Sequence, residues 1–297
     1  MKQRTTCPLS GIPAPIVFER PYEDPGFVAM GFSSELAGLL KGRAYEVREG
    51  QNGLLFQTWV LEDHELPLLY HTGKASEIRE EIARQKLYWF AHQTEEILVL
   101  RQVCSNPCPA VLDYGSSWGK WASMALAFGC EVSAVEVNRQ AAEFCKARGI
   151  FLLEENRLPE AGFDFVNVDQ VLEHVAEPRE VFQKLVRALK PGGWIKLSTP
   201  DDPRLARQIR RGALQELPSL QELDALVPLV HINLFSNATL GGLAAQENLR
   251  PFRLPLWIGL GAGQMWNLPR QLNRNLRTPW KRWRMQGAYR WFQKPAA

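Results

Sequence analysis

From Val111 onward, apolar runs of strand length alternate with stretches of helical period. The chain reads as strand 111–114, helix 118–128, strand 131–137, helix 138–148, strands 150–154 and 163–168, helix 177–190 and strand 193–199. Such alternation predicts an α/β fold, a mostly parallel sheet with helices on both faces. Ligands of such sheets bind beyond the carboxyl ends of the strands, where strand order reverses. Asp113, Glu136, Asp169 and Thr199 lie at predicted strand ends, so one rim should collect them.

Upstream, residues 75–103 form one charged-and-apolar helical stretch, with Ile78, Ile82, Tyr88 or Trp89, and Ile97 at mostly helical spacing. Two prolines in Ser105-Asn106-Pro107-Cys108-Pro109 end it. Residues 1–74 lack helical periodicity. Near the other end, Leu268, Leu272 and Leu276 lie four apart, and Thr278-Pro279 reads as an N-cap and first helical residue. Trp280, Trp283, Gly287 and Trp291 then share one side, which predicts a tail of paired amphipathic helices.

The first βαβ unit, VLDYGSSWGKWASMALAFGCEVSAVE, narrows the ligand. Gly115 and Gly119 mark the turn and Glu136 closes the second strand 21 residues after Gly115, the spacing at which an acid receives ribose hydroxyls. The turn is neither G-x-G-x-x-G nor a P-loop, and Asp113 beside it would repel a pyrophosphate but attract an amino group or a sulfonium. A cationic, phosphate-free cofactor fits best.

With Phe163-Asp164-Phe165-Val166, Val171-Leu172-Glu173-His174 and Leu189-Lys190-Pro191-Gly192-Gly193 following in register, the chain resembles the class I S-adenosylmethionine-dependent methyltransferases over about residues 108–260. The resemblance implies a Rossmann-like sheet and S-adenosylmethionine as cofactor. It implies that Asp113, Gly115, Ser116 and Gly119 hold the methionine part, Glu136 the ribose, and Asp169 and Gln170 the neighbourhood of the sulfonium. The family's turn reads D-x-G-x-G-x-G, and Ser117 departs from it; a serine forced to φ > 0 is strained by about 1 kcal/mol.

Two histidines compete for base catalysis. His231, in His231-Ile232-Asn233-Leu234-Phe235-Ser236, resembles the H-[IL]-x-x-F-S segment whose histidine can act as base in sugar methyltransferases, although Val230 stands where relatives often carry an acid. His174 either faces the pocket or orients the following helix. His64, His71 and His92 receive no role. The resemblance also implies that residues 1–74 are a degenerate zinc-knuckle module. Of two Cys-x-x-Cys pairs only Cys7 survives, in Cys7–Gly11 opposite Glu49–Phe56, so no metal is expected. The expected domains are thus 1–74, a lead-in helix and linker at 75–107, a methyltransferase domain at 108–260, and a tail at 261–297.

Five cysteines form no regular framework and the chain opens without a charged-then-apolar leader, so a cytoplasmic protein is expected. The longest nearly uncharged apolar stretch, 254–266, is too short to span a bilayer. Net charge is +3, but ten Lys or Arg and no acid follow Glu247, beside five of the ten tryptophans. This tail either packs on the domain, rests on an anionic membrane or, as a weaker alternative, meets nucleic acid. The expected activity is methylation of a small molecule or glycan, foremost at a sugar oxygen or carbon. The rivals are a catalytically lapsed binding protein and an RNA methyltransferase.

Overall fold

The structure, a computed structural model, describes residues 1–29, 31–69, 87–212, 223–252 and 287–296. The amino-terminal layer begins with β1 (Lys2–Gln3) and β2 (Ile16–Pro21), followed by two short helices, Pro25–Val28 and Ser34–Leu40, capped by the Asp24 and Ser33 side chains. The sequence pattern did not predict these helices; at four and seven residues they are too short to display a period. Then come β3 (Ala44–Glu49), β4 (Leu55–Gln57) and β5 (Trp59–Val60). Strands β2, β3 and β4 form an antiparallel meander, and β5 pairs with β1.

The two segments read as knuckles lie against each other. Ser10 and Gly11 donate backbone hydrogen bonds to Cys7 O, and Gly53 donates to Gly50 O. Cys7 is buried, its thiol 3.6 Å from Asn52 Oδ1, and a Cβ at Gly50 would fall 2.6 Å from the sulfur. The space between the turns is filled by packing.

The helix Leu87–Val103 leads into the second layer, in agreement with the carboxyl-terminal half of the predicted stretch; Ile78 and Ile82 lie outside the described residues. The sheet is then built from β6 (Ala110–Tyr114), β7 (Glu131–Val135), β8 (Phe151–Leu152), β9 (Phe163–Asp169) and β10 (Leu189–Thr199), connected by the helices Lys120–Ala127, Arg139–Lys146 and Pro178–Ala188. These five strands are parallel, in the order β10-β9-β6-β7-β8. Strand β9 is buried nearly throughout, as expected where helices cover both faces. Because β7 and β8 lie on one side of β6 while β9 and β10 lie on the other, strand order reverses between β6 and β9.

Two later segments cross the boundaries drawn from sequence. After the helix Pro203–Arg210, β11 (Asn233–Leu234) adds to β4 and completes a four-stranded amino-terminal sheet, whose core also takes Leu205, Ile209, Leu226 and Leu229. The helix Asn237–Gln246 leads to β12 (Arg250–Phe252), and β13 (Ala288–Gln293) runs antiparallel between β12 and β10. The helical reading of the tail is therefore wrong at its end. Trp291 is a buried strand residue whose ring lies 4.9 Å from Phe165, with Trp121 stacked on the same phenylalanine. Within β13, Ala288, Trp291 and Phe292 are buried and Arg290 is exposed. Leu268, Leu272, Leu276, Trp280 and Trp283 lie outside the described residues.

Candidate active site

The carboxyl edge of β6 turns through Gly115 (φ 77°), Ser117 (φ 49°) and Gly119 (φ 65°) before the helix Lys120–Ala127 starts. Three left-handed residues in alternation fold the backbone tightly enough for Gly115 and Ser116 N–H both to reach Val135 O, at 2.9 and 3.2 Å. A side chain at Gly115 would place its Cβ 2.4 Å from Val171 Cγ2, and one at Gly119 would strike Cys145 Sγ at 2.8 Å. Both glycines are required by space as well as by φ. Ser117 has the strained conformation its position implied, and its N–H donates to Glu136 Oε2 at 2.6 Å. Glu136 Oε1 accepts from Asn138 N–H at 2.6 Å, which fixes the carboxylate over the turn.

Asp113 lies beneath, 3% exposed. Asn167 Nδ2 donates to its Oδ1 at 2.7 Å, while Oδ2 is buried without a hydrogen-bond partner. Burial, together with the charge of Asp169, pushes this carboxyl up to about 7 against the pull of Asn167 and Lys196.

At the end of β9, Asp169 Oδ1 stands 3.3 Å from Lys196 Nζ, and the same ammonium contacts Glu96 at 2.9 Å. Lys196 and Glu96 are buried, and His92 Nε2 lies 3.1 Å from the same Glu96 oxygen, Oε1, that Lys196 contacts. Burial by itself would raise Glu96; Lys196 and His92 outweigh it and hold the group at about 2. Gln170 takes φ 57° and is tied to Ser198 through both its backbone N–H and its side-chain Nε2. Sequence reading missed Lys196, Glu96 and Asn167, because a polar residue inside an apolar run carries no mark of its partner.

The two candidate bases, 57 residues apart in sequence, come together with ring centroids 4.8 Å apart in a T-shaped contact. His174 Nδ1 lies 2.8 Å from Val230 O, and His231 Nδ1 is hydrogen-bonded to Asp224 O. A carbonyl can only accept, so each ring donates from Nδ1, which leaves Nε2 as the nitrogen that can take or release a proton. Desolvation, with the neighbouring ring, lowers His174 to about 4. Glu173 is fully buried with both carboxylate oxygens lacking hydrogen-bond partners, and burial raises it well above the usual range. One oxygen is 3.9 Å from His174 Nε2. An acid absent at position 230 is thus present in space at 173, a residue visible in the sequence only as part of the Leu-Glu-His motif. The 172–174 turn is clipped to the later segment by Ile232 N–H to Glu173 O and by Asn233 Nδ2 to Leu172 O and Val175 O. Buried Arg4 braces the same junction, donating to Ala176 O, Ile232 O and Asn233 Oδ1.

The edge therefore holds two chemistries. The β6–β7 side offers a tight backbone turn with two carboxylates, suited to a cation bearing hydroxyls. The β9 side offers two imidazoles held at Nδ1, whose Nε2 atoms are the positions for proton transfer. Val171, packed on Gly115, lies between them.

Residues 75–252 match the family model described as a methyltransferase domain. The ubiquinone biosynthesis O-methyltransferase of Schizosaccharomyces pombe mitochondria is 31% identical over 110 residues, covering 33% of this chain and 40% of that protein. The ubiquinone biosynthesis O-methyltransferase of Bordetella avium is 27% identical over 100 residues, covering 30% and 42%. The chain thus spans about two fifths of the length of the curated relatives it matches. Among solved structures, an O-methyltransferase family protein from Burkholderia thailandensis superposes with a TM-score of 0.51 at 13% identity, over 78% of this chain and 63% of that one, a likeness of fold.

Proposed function

Because the chain belongs to the class I S-adenosylmethionine-dependent methyltransferases, we propose that it methylates a hydroxyl oxygen of a small organic molecule at the edge between Gly115 and His231. The carrying observation is the pairing of the Asp113–Gly115–Gly119–Glu136 turn with the Glu173–His174–His231 cluster across the strand-order reversal. When bound, S-adenosylmethionine supplies an electrophilic methyl group on a sulfonium.

The residues present fit that cofactor. Asp113 Oδ2, buried and without a partner, suits the ammonium of its methionine part. Gly115 and Gly119, where a side chain would collide, let backbone approach the ligand closely. Glu136 has spent two acceptor sites on backbone N–H groups, and a carboxylate has about four, so ribose hydroxyls can still be received. Asp169, held by Lys196, and Gln170, held by Ser198, keep the corner between cofactor and acceptor rigid. A hydroxyl acceptor must lose its proton as the new bond to carbon forms, and the Nε2 lone pairs of His174 and His231 can take it. The relatives' names support oxygen as the nucleophile and a small molecule as the acceptor.

Among the described residues no helix is long and apolar enough to cross a membrane. The readings of 261–286 as a membrane or nucleic-acid surface fall outside the described residues.

Calorimetric titration with S-adenosylmethionine and S-adenosylhomocysteine, with Glu136→Ala as control, tests the cofactor half. Micromolar binding lost in the variant leads on to a screen of phenolic and sugar hydroxyl acceptors. No binding by the wild type would leave the fold serving as a binding protein.

A further inference from the structure

We infer that Glu173, His174 and His231 form a binding site for one divalent transition-metal ion of the zinc class. Each residue offers one ligand atom, and the three atoms lie within 4.8 Å of one another. A point no more than about 2.8 Å from all three therefore exists, so movements of under about 1 Å bring them to the 2.0–2.2 Å that zinc requires. The adjustment is small, since His174 Nε2 already lies 3.9 Å from a Glu173 oxygen.

Three observations point to a cation rather than to chance proximity. Glu173 is wholly buried, among the described residues no lysine or arginine pairs with it, its one ionisable contact is His174 Nε2 at 3.9 Å, and neither oxygen has a hydrogen-bond partner there, a cost that a bound cation removes. Both imidazoles are anchored at Nδ1 by backbone carbonyls, of Val230 and Asp224. That is the outer arrangement which fixes a metal-binding histidine's tautomer and aims Nε2 at the ion. The backbone around the set is also pinned, by Ile232 N–H to Glu173 O and the Asn233 side chain to Leu172 O and Val175 O. Two imidazoles and one carboxylate suit zinc or ferrous iron rather than magnesium or calcium, which prefer all-oxygen ligands. Three protein ligands leave a tetrahedral ion one open position.

The site stands on geometry; its use in catalysis rests on the methyltransferase reading. With the ion bound, both Nε2 lone pairs are committed. In place of an imidazole base, the metal would then acidify an acceptor hydroxyl in the open position, which would lose its proton to water; as its oxygen bonds the methyl carbon, the carbon–sulfur bond of the sulfonium would break and S-adenosylhomocysteine would leave as the neutral thioether.

The test is titration of the chelator-treated full chain with Co²⁺ and Zn²⁺, followed by visible absorption and metal analysis, alongside S-adenosylhomocysteine binding on the same sample. The expected result is one equivalent bound at micromolar affinity or tighter, with cobalt d–d bands and no thiolate charge-transfer band. Affinity should weaken by at least about tenfold in His231→Ala and in Glu173→Gln, and hold in Cys108→Ser. Circular dichroism checks that the variants fold, and His231→Ala carries the test if Glu173→Gln does not. A thiolate band, or affinity unchanged in a folded His231→Ala, overturns the site, as does absence of saturable binding. Metal binding without S-adenosylhomocysteine binding would instead leave the site standing and remove the methyltransferase reading.

Discussion

Asn167 Nδ2 donates a 2.7 Å hydrogen bond to Asp113 Oδ1 from the neighbouring strand, and among the described residues the other oxygen has no hydrogen-bond partner. The folded chain thus keeps a carboxylate out of water with half its hydrogen-bonding capacity unused, beneath the turn where a cationic ligand would lie.

Asp113→Asn should separate stability from function. The folded-state value of about 7 exceeds the ordinary 3.8, so the fold binds this proton more tightly than the unfolded chain does. Stability from this group is fully present below about 4 and is lost as pH rises through about 7. At about 1.4 kcal/mol per unit, the variant should gain on the order of 2 to 4 kcal/mol over wild type at pH 8 and little at pH 4. Urea melts at the two pH values measure this. The variant should also lose S-adenosylmethionine affinity in calorimetry; unchanged affinity would remove Asp113 from the site.

Ser117→Gly should relieve the left-handed strain at φ 49° while keeping the N–H bond to Glu136. The gain is offset by the greater entropy of glycine in the unfolded chain, so the net effect is a stabilisation of up to about 1 kcal/mol. A rise in melting temperature of about 2 °C with equal or tighter cofactor binding is the expected outcome.

Gly115→Ala combines a positive φ with a 2.4 Å approach to Val171 Cγ2. It should cost about 2 to 4 kcal/mol. The double variant with Val171→Ala should recover the steric share and leave the backbone share, so a double-mutant cycle on denaturant midpoints should show coupling of about 1 kcal/mol or more. Additive effects would mean that the turn does not press on Val171.

Lys196→Met should be strongly destabilising, by about 3 to 5 kcal/mol, because it strands the buried Glu96 carboxylate. The pH dependence gives a second reading. Glu96 is held at about 2 in the fold against an ordinary 4.5, so its contribution is present above about 4.5 and lost as pH falls toward 2. Glu96→Gln should flatten the acid limb of the stability curve by that amount, measurable by acid titration of the circular dichroism signal.

The parallel sheet was legible in the sequence because local signals agreed. Apolar runs such as Phe165–Val168, the Gly115–Gly119 turn and the amphipathic stretch at 178–188 each point to one element without reference to anything distant. The turn's special backbone could even be anticipated at Ser117, since only a left-handed residue suits that position. Asp113, Glu136 and Asp169 could likewise be placed on one edge, because parallel strands put all their carboxyl ends on the same side. The end of the tail misled for a local reason as well: Trp291 shares its spacing with a helical stripe but pays its burial to β9 as a strand residue.

What the chain determined by itself is the order of the elements between Val111 and Thr199 and the turn after β6, both set by interactions within about thirty residues of sequence. Tertiary structure alone decided which distant polar groups meet: Lys196 with Glu96 and Asp169, Asn167 with Asp113, Glu173 with His174 and His231. The physical reason is that an unpaired buried charge or dipole is costly wherever it lies, so sequence can show that a partner is needed. Which partner answers it depends on the register of strands and the closing of loops, and for Glu173 the described residues supply two imidazoles.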